Sequence, residues 1–193
     1  MISTGYHKIK WGILISVIHI YLFGSFEILP AFVGYFFIMQ GVFAICEETG
    51  LDYMKPLKAE SARLFLFSCI YWVAGLILGY QLALGKLILL VFYLFDVLFF
   101  GNLLNKTIKY LKEQMRLDEA DKLRKNRMSF VKAYLALIVL FLITLIPNAM
   151  SFFDLGTVAF RNLFNTIVQY LFITCMLFLK LWLSMIVQKY SIH

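Results

Sequence analysis

The chain has 193 residues, of which 62% are apolar and 15% charged, with a mean hydropathy of +0.84; soluble domains run at about 45–50% apolar and about 25% charged. One soluble core of this length cannot enclose 20 Phe and 11 Tyr, so lipid has to act as solvent for much of the surface. Nucleic-acid binders, disulfide scaffolds and ordinary cytosolic enzymes are excluded. The net charge of +7, from 18 basic and 11 acidic residues, reports orientation in a membrane protein, because cytoplasmic loops retain Lys and Arg.

Lys8 and Lys10 precede an apolar run from Trp11 to Phe23 in the manner of a signal peptide. Residues 24–27 hold no A-x-A cleavage pattern and apolar sequence resumes at once, so a retained first span is expected. The stretch 11–45 is longer than one span and is interrupted by Gly24, Ser25, Glu27 and Pro30, which are turn and helix-start residues. It reads as a hairpin of two short helices, 11–23 and 30–45, each about 20–24 Å long at the helical rise. Four further runs, 61–80, 83–104, 129–147 and 164–187, supply the roughly 20 residues that a membrane helix needs. The expected fold is all-α: one polytopic membrane bundle over 1–193, with six transmembrane helices and a short N-terminal hairpin.

With both termini inside, six spans place 15 basic residues in or beside cytoplasmic segments, leaving Lys86 and Arg161 outside and Lys180 within a span. A single kinked helix over 11–45 would give five spans and 13 against 4, a weaker asymmetry. The longest polar segment, 105–128, is helix-like, with Asp118/Lys122 and Asp121/Lys125 at i,i+4 and an apolar row Ile108, Leu111, Met115. It reads as a cytoplasmic extension of the fourth span that returns into the fifth. Its Lys106, Lys109, Lys112, Arg116, Lys122, Arg124, Lys125 and Arg127 outnumber Glu113, Asp118, Glu119 and Asp121 by four. Such a surface suits anionic lipid at the cytoplasmic face of the bilayer, or a protein partner.

A charge near the bilayer centre costs at least about 2.5–3.5 kcal/mol and survives only with compensation. His19, Asp96 and Lys180 fall at such depths, making them the candidate intramembrane polar site. Asp96 and Lys180 can pair if the fourth and sixth helices meet. The plainer alternatives are a snorkelling Lys180, an Asp96 held by backbone or Tyr donors, and a His19 satisfied in helix packing. In the N-terminal run, Glu27 with Ser25 is a candidate outer mouth. Pro30 starts a helix well, and Gly34 and Gly41, seven apart, share a face that permits close helix approach. Gly75 and Gly79 form a G-x-x-x-G suited to helix packing or a dimer face.

The run F-E-I-L-P-x-F-V-G-Y over 26–35, preceded by a Lys-flanked apolar helix and followed by Gly41 and the acidic Glu47-Glu48, resembles the start of a group of small multi-pass membrane proteins of low-GC Gram-positive bacteria. The resemblance covers about the first 60 residues, and Glu27 stands where an aspartate is more usual. It implies a bacterial plasma-membrane address and no particular reaction.

Catalytic motifs are missing from the sequence: it contains no H-E-x-x-H, no G-x-S-x-G and no Gly-rich phosphate loop. Glu47-Glu48 lacks the intramembrane histidines of a CAAX-type protease, since His7 and His193 lie near the chain ends. Cys46, Cys69 and Cys175 are far apart, so neither a disulfide nor a zinc site is expected. The acidic Glu47, Glu48, Asp52 and Glu60 lie among Lys55, Lys58 and Arg63 and read as a solvated turn. The size and topology also resemble vitamin-uptake substrate-binding subunits, although their small-residue A-x-x-x-A docking pattern is absent. The expectation is a non-enzymatic membrane component without cofactor or metal. It acts either in transport or, as an accessory or immunity-type protein, by binding a partner; an intramembrane enzyme is the third reading.

Overall fold

A computed structural model describes residues 2–17, 21–22, 26–27, 31–78, 83–145 and 158–189. In chain order these form α1 (Ile2–Val17), the two-residue strands β1 (Tyr21–Leu22) and β2 (Phe26–Glu27), α2 (Ala31–Thr49), a 3-10 turn (Asp52–Met54), α3 (Pro56–Leu78), α4 (Ala83–Glu113), α5 (Leu117–Leu145) and α6 (Val158–Lys189). The strands pair antiparallel, Tyr21 opposite Glu27 and Leu22 opposite Phe26. Each helix packs against its chain neighbours and α6 closes on α1, so the helices form a ring in sequence order. The short α2–α3, α3–α4 and α4–α5 connections make those neighbours antiparallel.

The outward faces are apolar at helical spacing: Leu66, Ile70, Val73 and Ile77 on α3, and Leu87, Val91, Leu94 and Leu98 on α4 are all exposed. In water such faces would be untenable, whereas lipid satisfies them. Among the described residues, four helices, α2, α3, α4 and α6, are long and apolar enough to cross a membrane. The first half of α5 carries Lys122, Arg124, Lys125 and Arg127, and α1 has only 16 residues.

α1 differs from expectation, starting nine residues before Trp11 and ending at Val17. Its buried face is Tyr6, Ile9 and Ile13, a helical stripe that passes between Lys8 and Lys10, so these lysines lie within the helix rather than before it. The close approach expected of Gly34 and Gly41 exists, and the surface opposite is also glycine. A methyl group at Gly12 would stand 2.5 Å from the Gly34 carbonyl oxygen, and one at Gly41 would stand 2.6 Å from that of Gly5. Two pairs of glycines, each pair seven residues apart, thus bring the α1 and α2 backbones into contact, as in small-residue membrane helix pairs.

The segment 105–128 is a helical hairpin. α4 runs to Glu113 and stops in a Schellman arrangement, with Met115 N–H to the Lys112 carbonyl (3.1 Å) and Arg116 N–H to that of Leu111 (2.9 Å). The motif needs a left-handed residue, and Met115 takes it with φ 58°. Met115 therefore leaves the apolar row: Ile108 and Leu111 are buried, but Met115 is 84% exposed. The ion pair made at this turn joins Arg116 to Glu119 through two bonds, 2.9 and 2.7 Å.

Candidate functional site

Four helices send polar side chains into the middle of the ring. On α4, Phe92, Asp96 and Phe100 recur every fourth residue and are buried, so one stripe of the helix presents a carboxylate between two rings. α6 supplies Lys180 from across the bundle, α2 supplies Tyr35, and α5 supplies Tyr134. Asp96 is 0% exposed and Lys180 5%.

The pairing is complete on both sides. Lys180 Nζ donates to Asp96 Oδ2, and the Tyr134 hydroxyl donates to the same oxygen. The Tyr35 hydroxyl donates to Oδ1 at 2.8 Å and accepts from Lys180 Nζ at 3.2 Å. The ammonium also lies 4.5 Å from the Phe100 ring centroid, 5.5 Å from that of Tyr35 and 5.9 Å from that of Tyr134. These are cation–π distances. The Ser16 hydroxyl of α1 is buried and donates to the Ile13 carbonyl of its own helix at 2.8 Å. A buried charge is tolerated when its partner and remaining hydrogen-bond capacity are both supplied, and here they are.

Aromatic packing fixes the two phenols. Tyr35 meets Phe92 edge-on at 5.1 Å, and Tyr71 of α3 stacks on the same Phe92 at 5.9 Å. Tyr134 meets Phe130 at 5.6 Å and Tyr93 at 6.4 Å. Each hydroxyl is therefore held on a ring with little rotational freedom left to it.

Toward the end that carries the α4–α5 turn, polar ties join the helices. The Tyr6 hydroxyl and Thr107 Oγ1 lie 2.7 Å apart, linking α1 to α4. Asn102 donates to both oxygens of Glu60, at 2.7 and 2.8 Å, linking α4 to α3. Arg127 Nε donates to the Gly101 carbonyl at 2.9 Å. The Tyr53 hydroxyl donates to Glu113 at 2.7 Å, with Lys109 Nζ 4.0 Å from the Tyr53 centroid. These contacts set the start of α1, the α2–α3 turn and the α4–α5 turn at one end of the bundle.

Among the sequence-derived candidates, Asp96 and Lys180 come together, while His19, Ser25, Pro30 and Gly79 lie outside the described residues. Glu27 belongs to β2, and Gly75 is buried on α3. The basic surface is split. Arg127 turns inward to Gly101, Arg116 is spent on Glu119 and Lys109 covers Tyr53, whereas Lys112, Lys122, Arg124 and Lys125 are exposed and Lys106 is half-buried. In the acidic turn, Glu47 meets Lys58 at 3.4 Å and Asp52 meets Lys55 at 2.5 Å. Glu60 departs from it by facing Asn102. No group of His, Cys, Asp and Glu suited to a metal occurs among the described residues. Sequence reasoning did not single out Tyr35, Tyr134 or Phe100, nor Gly5 and Gly12.

No family model, curated protein or solved structure matches the chain.

Proposed function

We propose that the chain is a six-span, non-enzymatic component of a bacterial plasma membrane, with both termini cytoplasmic, whose role is transport-related and centred on Asp96 and Lys180. The observation that carries this reading is the buried pair itself. An apolar pair of the same volume would pack this interior as well or better, and intramembrane ionisable residues mark substrate, ion or proton pathways by default. The two phenols on the carboxylate add donors that can accompany a change of protonation or partner. The six-span topology is supported by the Tyr6–Thr107 contact, which sets the start of α1 level with the far end of α4, as an even number of crossings requires.

The test is electrical. Purified protein in liposomes on a solid-supported membrane should give transient currents on jumps of pH or of small charged solutes, and Asp96→Asn should lose them while still folding. Currents identical to those of empty liposomes under every jump would contradict the transport role. An N-terminal tag reached by an impermeant label in intact cells would overturn the topology.

The exposed Lys112, Lys122, Arg124 and Lys125 favour a second reading, because they surround a turn that also exposes Met115 and Leu117. Basic and apolar side chains together at a helical turn suit a partner protein or anionic headgroups. In that reading, charge reversal at the four basic positions abolishes partner recovery and leaves the Asp96 pair untouched.

A further inference from the structure

Resting on the reading of Asp96 and Lys180 as the functional centre, we infer that the cluster is a recognition site for a primary ammonium ion, and that Lys180 is its resident occupant. The site already binds such an ion, the chain's own. The Lys180 ammonium donates to a carboxylate oxygen and to a phenol oxygen and lies over the face of Phe100, with the rings of Tyr35 and Tyr134 completing the enclosure. A carboxylate paired with several aromatic faces is the chemistry that selects organic ammonium ions. The two donated hydrogen bonds select a primary amine over a quaternary one, which has no N–H to give.

The enclosure is built from helices other than α6, apart from the lysine. Tyr35 comes from α2, Asp96 and Phe100 from α4 and Tyr134 from α5, and Tyr134 and Tyr35 remain bonded to Asp96 without reference to Lys180. Removing the lysine side chain therefore leaves a carboxylate with both phenols in place and an ammonium-shaped gap. Lysine is a flexible tether that can also extend along apolar surface toward a bilayer face, so Lys180 can leave the carboxylate without breaking the bonds that Tyr35 and Tyr134 make to it. The ligand class assigned to the site is accordingly a small molecule bearing a primary ammonium group.

The experiment uses Lys180→Ala with n-propylammonium as the probe, because that ion reproduces the Cγ, Cδ, Cε and Nζ atoms the substitution removes. K180A is purified and unfolded in detergent across a series of n-propylammonium chloride concentrations, with tetramethylammonium and sodium chloride at equal ionic strength beside it. The folded-to-unfolded ratio is expected to rise in proportion to n-propylammonium above its dissociation constant, about 100-fold at a hundred times that constant, with less response to tetramethylammonium and none to sodium. Asp96→Asn combined with K180A should lose the response. Lys180→Met, which fills the gap without charge, should fold and show none. An equal response to all three salts would overturn the proposal. So would a K180A protein that stays unfolded at every n-propylammonium concentration while Lys180→Met folds. Rescue of K180A together with currents no different from empty liposomes would keep the ammonium site and remove the transport role, so the two failures are separable.

Discussion

Truncating Asp96 to alanine would strand one ammonium and two phenol hydroxyls in the interior of the ring. Lys180 would retain one hydrogen bond, to Tyr35, and the ring faces around it, and neither Tyr35 nor Tyr134 would keep its carboxylate acceptor. Breaking a buried ion pair from one side costs about 3–5 kcal/mol; about 4 kcal/mol lowers the folded-to-unfolded ratio roughly 1,000-fold. Lys180→Met is gentler, because the remaining carboxylate keeps two O–H donors of the kind that stabilise a buried charge. In the double variant Asp96→Ala/Lys180→Met no charge is left unpaired, and only the two phenols lack an acceptor. The expected order of destabilisation places Asp96→Ala above the double variant, with a coupling of about 2 kcal/mol or more between the two positions, toward the upper end for residues in direct contact. Equilibrium unfolding in mixed detergent micelles, followed by tryptophan fluorescence, reads all four members of the cycle. A double variant that loses the sum of the single losses, or a Lys180→Met that costs more than Asp96→Ala, would refute this reasoning.

Gly34→Ala should destabilise by about 1–3 kcal/mol, the usual range for overpacking, since the added methyl meets the Ser16 backbone at under 3.0 Å. Gly101→Ala, whose methyl would stand 3.4 Å from a Val131 methyl, should be neutral or better; melting temperatures of the two variants in one detergent make the comparison. Asn102→Asp replaces the donor to Glu60 with a second carboxylate, so its stability deficit at neutral pH should narrow on acidification as the pair gains a proton, and a pH-independent deficit would deny the Asn102–Glu60 contact. Met115→Gly relieves a left-handed backbone that costs a side-chain-bearing residue about 1–2 kcal/mol, and at an exposed site it should raise the unfolding midpoint without altering the currents of the reconstituted protein.

The helical, membrane-facing character of the chain was legible because hydropathy alone forces it: five of the six apolar runs fall on α2 to α6, and four of those helices are long and apolar enough to cross a membrane. α1 was misplaced because lysines beside an apolar run look like its boundary, whereas Tyr6, Ile9 and Ile13 continue the buried stripe through them. Gly34 and Gly41 were readable from their spacing, while Gly5 and Gly12 became meaningful only once the two backbones were set against one another. Asp96 and Lys180 stood out as costly charges, but their contact depends on α4 and α6 facing across a ring in which they are not chain neighbours. Pattern along one chain does not encode that. The tyrosines were hidden for a different reason. Among 11 tyrosines, nothing local to Tyr35 or Tyr134 distinguishes a phenol bonded to a buried carboxylate from one that only packs. The end of α4 was equally opaque, since the left-handed position of its stop is held by methionine rather than glycine.

The central claim is that Asp96 and Lys180 are bonded inside the ring, and solid-state NMR measures that contact directly in lipid. With 13C at the aspartate carboxyls and 15N at the lysine ammonium groups, in a Lys55→Gln background that removes the exposed Asp52–Lys55 pair, rotational-echo dephasing should report a carboxyl–ammonium contact at salt-bridge distance that disappears in both Asp96→Asn and Lys180→Met. Dephasing left unchanged by either substitution would contradict the pair and the account built on it.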